Sequence, residues 1–167
     1  MAAASSEQGY LFGCPISGVV APVSQCPDPT FSQGILGPGV VIEPQGCQIF
    51  APCDSTVEFC LSTGHALGFS TPQGAKFLIH VGMDTNKLAG QGFHLLVQMG
   101  DQVRRGDPLL SFDPQVMEEH HCTMATPFVF CNCSEGWELE ILKTGPTEPG
   151  EDIIRLTRCS SPSGEQT

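Results

Sequence analysis

Nineteen glycines and fourteen prolines punctuate this 167-residue chain from end to end and leave only short apolar runs between them. Proline breaks a helix interior and glycine weakens one, so the runs are too interrupted for long helices. Extended segments joined by turns remain. Eleven candidate strands follow, at residues 18–23, 40–42, 47–51, 56–61, 66–70, 76–81, 93–99, 108–112, 128–131, 138–142 and 153–156. Val57, Phe59 and Leu61 alternate with Thr56, Glu58 and Cys60, the period of a half-buried strand. Turn signals fall at Pro-Gly, Pro-Gln-Gly, Ser-Thr-Gly and Arg-Gly-Asp-Pro. Only residues 30–36 and 114–120 suit short helices. The pattern predicts an all-β fold, an antiparallel β-sandwich or a barrel-sandwich hybrid of many short strands.

The length fits one domain with a substantial core. We expect it over residues 9–158, with flexible tails at 1–8 and 159–167, where the sequence is small and polar. Eighteen acidic residues against seven basic ones give a net charge of −11. Such a surface repels phosphate backbones and anionic lipid, which argues against nucleic-acid binding and membrane docking, and it suits a basic protein partner. No apolar run approaches the length of a bilayer span, so no stable membrane insertion is expected. The first residues carry neither the basic segment nor the apolar stretch of a signal peptide, which places the chain in the cytoplasm. The nine cysteines are then reduced thiols, most of them expected to pack as small hydrophobes. Their closest pair, Cys131 and Cys133, has no second pair to complete a four-cysteine zinc centre.

Two of the five histidines have unusual surroundings. His80 ends the apolar run Lys76-Phe-Leu-Ile-His80, with Gly82 two residues on, and His65 follows Ser62-Thr63-Gly64 at a turn. A separation of one turn and one returning strand can set the two on neighbouring strands, face to face. Each alone suits an ordinary hydrogen-bonded histidine at a strand end. Together they suit phosphoryl chemistry. A neutral imidazole attacks with one nitrogen while the other donates a hydrogen bond that fixes its tautomer. The Gly82 carbonyl could accept from His80 Nδ1–H and leave Nε2 as nucleophile. A second imidazole, its tautomer set by the Thr63 hydroxyl, could steady the charge on the equatorial oxygens. Such exchange needs no metal and no cofactor.

The segment Gly100-Asp-Gln-Val-Arg-Arg-Gly-Asp-Pro is a tight turn and re-entry of the kind found in biotin- and lipoate-carrying domains. Those domains need a lysine at a hairpin tip, and Lys76, Lys87 and Lys143 do not sit in such a turn. A broader match covers residues 14–158. Pro27-Asp28-Pro-Thr-Phe31, Ile42-Glu-Pro-Gln-Gly46, Thr63-Gly-His65-Ala66, Leu78-Ile-His80-Val-Gly82-Met-Asp84-Thr85, Leu88-Ala-Gly90-Gln-Gly92-Phe93 and Thr126-Pro127 stand in one order. In these the chain resembles the glucose-type IIA component of the bacterial sugar phosphotransferase system.

That resemblance implies a phosphotransferase component with a phosphohistidine intermediate. The residue matching the family's phosphohistidine is His80, which would take the group from phosphorylated HPr and pass it to a cysteine of the IIB domain of a sugar permease. His65 and Thr63 would support transfer. Asp28 and Asp84 would face an arginine of HPr, and Phe31, Ile35 and Leu36 would form an apolar rim around Gly82 and the histidines. Regulatory protein targets are further implied partners. The chain departs from the family at Gly37-Pro38-Gly39, where Gly-Asp-Gly is usual, and at Thr30, where valine is common. Residues 1–9 have no counterpart of the amphipathic membrane-binding segment of some members.

Two alternatives belong to other classes. His80-Val-Gly-Met-Asp84 also looks like the His-x-Gly-x-Asp of lysostaphin-type zinc peptidases, but the downstream His-x-His that such a site needs is missing: His94, His120 and His121 are the later histidines. A regulatory binding module on the same fold is the other.

Overall fold

The computed structural model of the chain describes residues 9–61, 63–83, 85–131 and 136–158. The expected tails at 1–8 and 159–167 lie outside the described residues. Among the described residues fourteen strands follow one another: β1 Tyr10–Gly13, β2 Gly18–Pro22, β3 Gly39–Pro44, β4 Gln48–Phe50, β5 Ser55–Cys60, β6 Ala66–Ser70, β7 Lys76–His80, β8 Phe93–Leu95, β9 Gln102–Val103, β10 Pro108–Phe112, β11 Thr126–Phe130, β12 Trp137–Ile141, β13 Gly145–Thr147 and β14 Asp152–Arg158. Two short helices interrupt them, α1 Pro29–Ser32 and α2 Pro114–Glu119. Every strand pairing is antiparallel. An eight-stranded sheet in the order β13-β2-β3-β11-β7-β6-β5-β9 makes one layer, with two three-stranded sheets, β1-β14-β12 and β4-β10-β8. The fold is an antiparallel β-sandwich. Among the described residues no helix is long and apolar enough to cross a membrane.

Strand alternation decides what lies inside. On β7, Phe77 and Ile79 are buried while Lys76, Leu78 and His80 point to the outer face. Phe77 enters a cluster with Phe12, Phe69, Phe128 and Phe130. The rings meet mostly edge-on, Phe12 to Phe130 at 4.8 Å and 75° and Phe77 to Phe128 at 5.4 Å and 82°, the geometry that aromatic quadrupoles favour. The outer face has an apolar patch of its own. Val41, Val129, Met83 and Ala125 pack there with Val23, Cys26 and Phe31, partly flanked by Leu78. The segment carrying α1 covers the sheet at this patch and brings Asp28 and Phe31 toward the end of β7.

Most predicted strands stand within two residues of their expected bounds, and four differences are instructive. β1, β9 and β13 are short edge strands of four, two and three residues, without enough alternation to announce themselves. The helix expected over 30–36 is α1 alone, because Asp28 caps it, Pro29 opens it and Gly34 leaves it at a φ of +77°. The alternation of Val57, Phe59 and Leu61 does not give one buried face. A register shift between Val57 and Phe59 turns the later half of β5 outward, and the Phe59 ring fills the space over Gly68. Finally, only Cys14 and Cys26 of the described cysteines are buried, while Cys47 and Cys131 are exposed in or beside turns.

Candidate functional site

The last residue of β7 is His80, opposite Ala66 at the start of β6. The next residues hold the site together. Val81 N–H donates to the carbonyl of His65 at 2.7 Å, so the two histidines share one strand end. Gly82 follows at a φ of +77°, which swings its carbonyl back toward the imidazole. His80 Nδ1 lies 2.8 Å from that oxygen. A carbonyl only accepts, so Nδ1 carries the proton and Nε2 holds a free lone pair. A Cβ on Gly82 would lie 2.6 Å from Thr85 Cγ2 and 3.1 Å from Met124 Sδ, so glycine is required by space as well as by φ. Thr85 is fully buried and donates its hydroxyl to the carbonyl of Val81 at 2.6 Å.

His65 stands at the exit of the turn that joins β5 to β6. Gly64 N–H closes the turn on the carbonyl of Leu61 at 2.7 Å. Thr63 Oγ1 is 2.8 Å from His65 Nδ1. The His65 and His80 rings are 5.3 Å apart at 78°, edge to face. Phe31 lies 5.4 Å from His80 on one flank, and Phe93 lies 6.5 Å from His65 on the other.

Both imidazoles are held neutral. Burial lowers the His80 pKa below the ordinary value of 6.5, and the Gly82 hydrogen bond and the nearby Asp28 charge oppose it without cancelling it. Burial and the neighbouring His80 lower His65. Two uncharged rings at a strand end make a nucleophile and a hydrogen-bond donor available near neutral pH. Burial pushes the thiol of Cys14 up to about 11 and that of the half-buried Cys53, packed against the core, up to about 12, so neither competes as a nucleophile.

The remaining candidates spread around this pair. Asp28 is half-buried and accepts from Thr30 N–H at 3.0 Å as the cap of α1. Phe31 is only 4% exposed and wedges beside His80, whereas Ile35, at 68%, and Leu36 are open to solvent. Asp84 lies outside the described residues. Three neighbours carry no role that the sequence alone assigns. Phe93 backs His65; Met83 and Thr123 line, with Pro27 and Asp28, a cavity of about 220 Å³ beside the site. The clue to Phe93 is its place at the end of a Gly-x-Gly-Phe string; nothing in the sequence marks Thr123. Among the described residues no three His, Cys, Asp or Glu side chains are grouped to hold a metal ion.

Comparison with known proteins fits this geometry. The family model of the phosphoenolpyruvate-dependent sugar phosphotransferase system, EIIA 1, matches residues 11–136. A glucose-specific EIIBCA component from Corynebacterium glutamicum is 37% identical over 142 residues, 85% of this chain. The chain spans only 21% of that relative's length. A glucose-specific EIIA component from Oceanobacillus iheyensis is 36% identical, over 84% of this chain and 85% of its own. The solved glucose permease IIA from Mycoplasma capricolum superimposes with a TM-score of 0.80 at 28% identity, covering 88% of this chain and 94% of that one. None of these matches points to a peptidase.

Proposed function

Because the chain belongs to the EIIA 1 family of the phosphoenolpyruvate-dependent sugar phosphotransferase system, we propose that it is a phosphoryl carrier in sugar uptake that takes phosphate on Nε2 of His80. Phospho-HPr is the donor and the IIB domain of a sugar permease is the recipient. The same reading has the chain act in the cytoplasm.

One arrangement carries the proposal: a neutral His80 whose Nδ1–H is held by Gly82 at 2.8 Å, with a second imidazole 5.3 Å away. The Nε2 lone pair attacks phosphorus on the donor's phosphohistidine. The donor P–N bond breaks and its electron pair stays on the donor nitrogen. No proton leaves His80, so the product is a phosphoimidazolium, and the Gly82 carbonyl and Asp28 face the positive charge that develops. Thr63 donates its hydroxyl to His65 Nδ1, which leaves Nε2–H of His65 to donate to an equatorial phosphoryl oxygen. In the onward step a cysteine thiolate of the recipient attacks phosphorus and the electron pair returns to His80 Nε2. Neither step requires a metal.

The test is incubation with enzyme I, HPr and labelled phosphoenolpyruvate, followed by mass spectrometry of the histidine-bearing peptides. Label on the His80 peptide, and none in a folded His80→Gln variant, is expected. Acid-labile phosphate on that variant would sink the proposal.

A further inference from the structure

The string Leu88-Ala-Gly90-Gln-Gly92-Phe93 carries no group that could transfer phosphate, yet its backbone is costly. Ala89, Gly90 and Gly92 take φ values of +52°, +93° and +85°, and for alanine that region is disfavoured. Local bonds fold the segment tightly: Gln91 N–H donates to Leu88 at 2.9 Å and Phe93 N–H to Gly90 at 3.1 Å. Its outer side is pinned to α2. Asp113 N–H donates to the Gly92 carbonyl at 2.8 Å, and a Cβ on Gly92 would lie 2.9 Å from Val116 Cγ1.

Its inner side meets the turn that carries Thr63 and His65, and the meeting is reciprocal. A Cβ on Gly64 would lie 3.0 Å from Phe93 Cβ and 3.5 Å from Phe93 Cγ. A Cβ on Gly90 would lie 3.5 Å from Thr63 Cα. Each segment thus places a glycine against the other: a Cβ on Gly64 would crowd the Phe93 side chain, and Gly90, held at a φ of +93°, lies in van der Waals reach of Thr63. Phe93 continues beside His65 and is backed by Phe112 at 6.4 Å. At its other end the segment begins at Thr85, whose hydroxyl holds Val81, whose N–H in turn holds His65. One stretch of chain therefore leaves the His80 strand end and returns behind His65.

We propose that Phe93 and Gly90 are positioning residues for His65: they hold the Thr63-Gly64-His65 turn so that its imidazole faces His80, and phosphoryl transfer through that imidazole depends on them. The inference rests on the phosphoryl-carrier reading for its effect on rate, though not for its effect on geometry. A hydrogen-bond donor acts only where it is aimed, and a misplacement of an ångström can cost about 10²-fold in rate.

The test compares Phe93→Leu and Gly90→Ala with the parent in three measurements. Ring ¹⁵N shifts report the His65 tautomer: the parent should show one fixed form, and both variants an averaged one. Transfer from the phosphorylated carrier to a IIB domain should fall about 10–10²-fold, and more steeply than acceptance from phospho-HPr. In a His65→Gln background Phe93→Leu should cost almost nothing further, because its effect passes through His65. An unshifted ¹⁵N pattern in both variants, or an equal loss from Phe93→Leu with and without His65, would overturn the proposal. Should Phe93→Leu unfold, Gly90→Ala carries the same test. A parent that takes no phosphate would refute the carrier reading alone, and the ¹⁵N pattern would still decide the positioning.

Discussion

His80 and Gly82 are two residues apart, and the Nδ1–H of the first donates to the carbonyl of the second at 2.8 Å because the second sits at a φ of +77°. That bond decides which nitrogen is free. Gly82→Ala places a Cβ in the left-handed region and 2.6 Å from Thr85 Cγ2. The backbone must shift, at about 1–3 kcal/mol of stability. The ring ¹⁵N pattern of His80 should change with it, and phosphate acceptance should drop. A fixed Nδ1–H tautomer in the folded variant would show that the carbonyl does not set it.

At His65 the direction is reversed: the Thr63 hydroxyl donates to Nδ1 at 2.8 Å and leaves the proton on Nε2. Thr63→Val keeps the shape and removes the donor, leaving a buried ring nitrogen unsatisfied at about 1–3 kcal/mol. Transfer to a IIB domain should fall by about tenfold or more. Thr63→Ser should recover most of it. A serine variant no better than valine would mean that the methyl contact matters and the hydroxyl does not.

Much of this site was legible because strand periodicity is a strong signal. β6 and β7 are apolar runs bounded by turns, so the pairing of His80 with Ala66 follows from a hairpin of ordinary length. The hydrogen bonds were legible too, since a glycine two residues after a histidine and a threonine two before one leave few other partners. What escaped depends on contacts between distant segments. Phe59 continues an alternating pattern yet lies half-exposed, because the bulge in β5 and the bare backbone of Gly68 give its ring a place outside the core. The burial of Phe31 likewise depends on where α1 crosses the sheet, which no local pattern sets. Edge strands such as β9 are made by a partner strand, not by their own residues.

Asp28 combines two jobs that one substitution can separate. It caps α1, and its charge lies near His80. Asparagine caps as well as aspartate, so Asp28→Asn should leave stability nearly unchanged while removing the charge. If a basic donor docks here, its association rate should fall about two- to fivefold at low salt, the range of an exposed ion pair, and become less sensitive to ionic strength. Stopped-flow binding of HPr between low and high salt measures both. An on-rate and salt slope equal to the parent's would leave docking to the apolar rim alone.

The two lowered histidine pKa values make stability depend on pH in a defined direction. Above the unfolded value of 6.5 both rings are neutral in the folded and unfolded chain, and they cost nothing. As pH falls below 6.5 the unfolded chain binds protons first, because burial holds the folded values lower. Stability is therefore full above 6.5 and is lost as pH falls from there through the folded values. Phosphate acceptance depends on the folded ring alone, since only the neutral ring has a lone pair on Nε2. It should hold as pH falls below 6.5 and drop only near the lowered folded value of His80. Urea midpoints at pH 7.5 and 5.5 isolate the contribution: the parent should lose more between them than a His65→Gln, His80→Gln double variant. Equal losses would mean that the fold does not hold the imidazoles neutral, and burial would no longer account for an available nucleophile at Nε2.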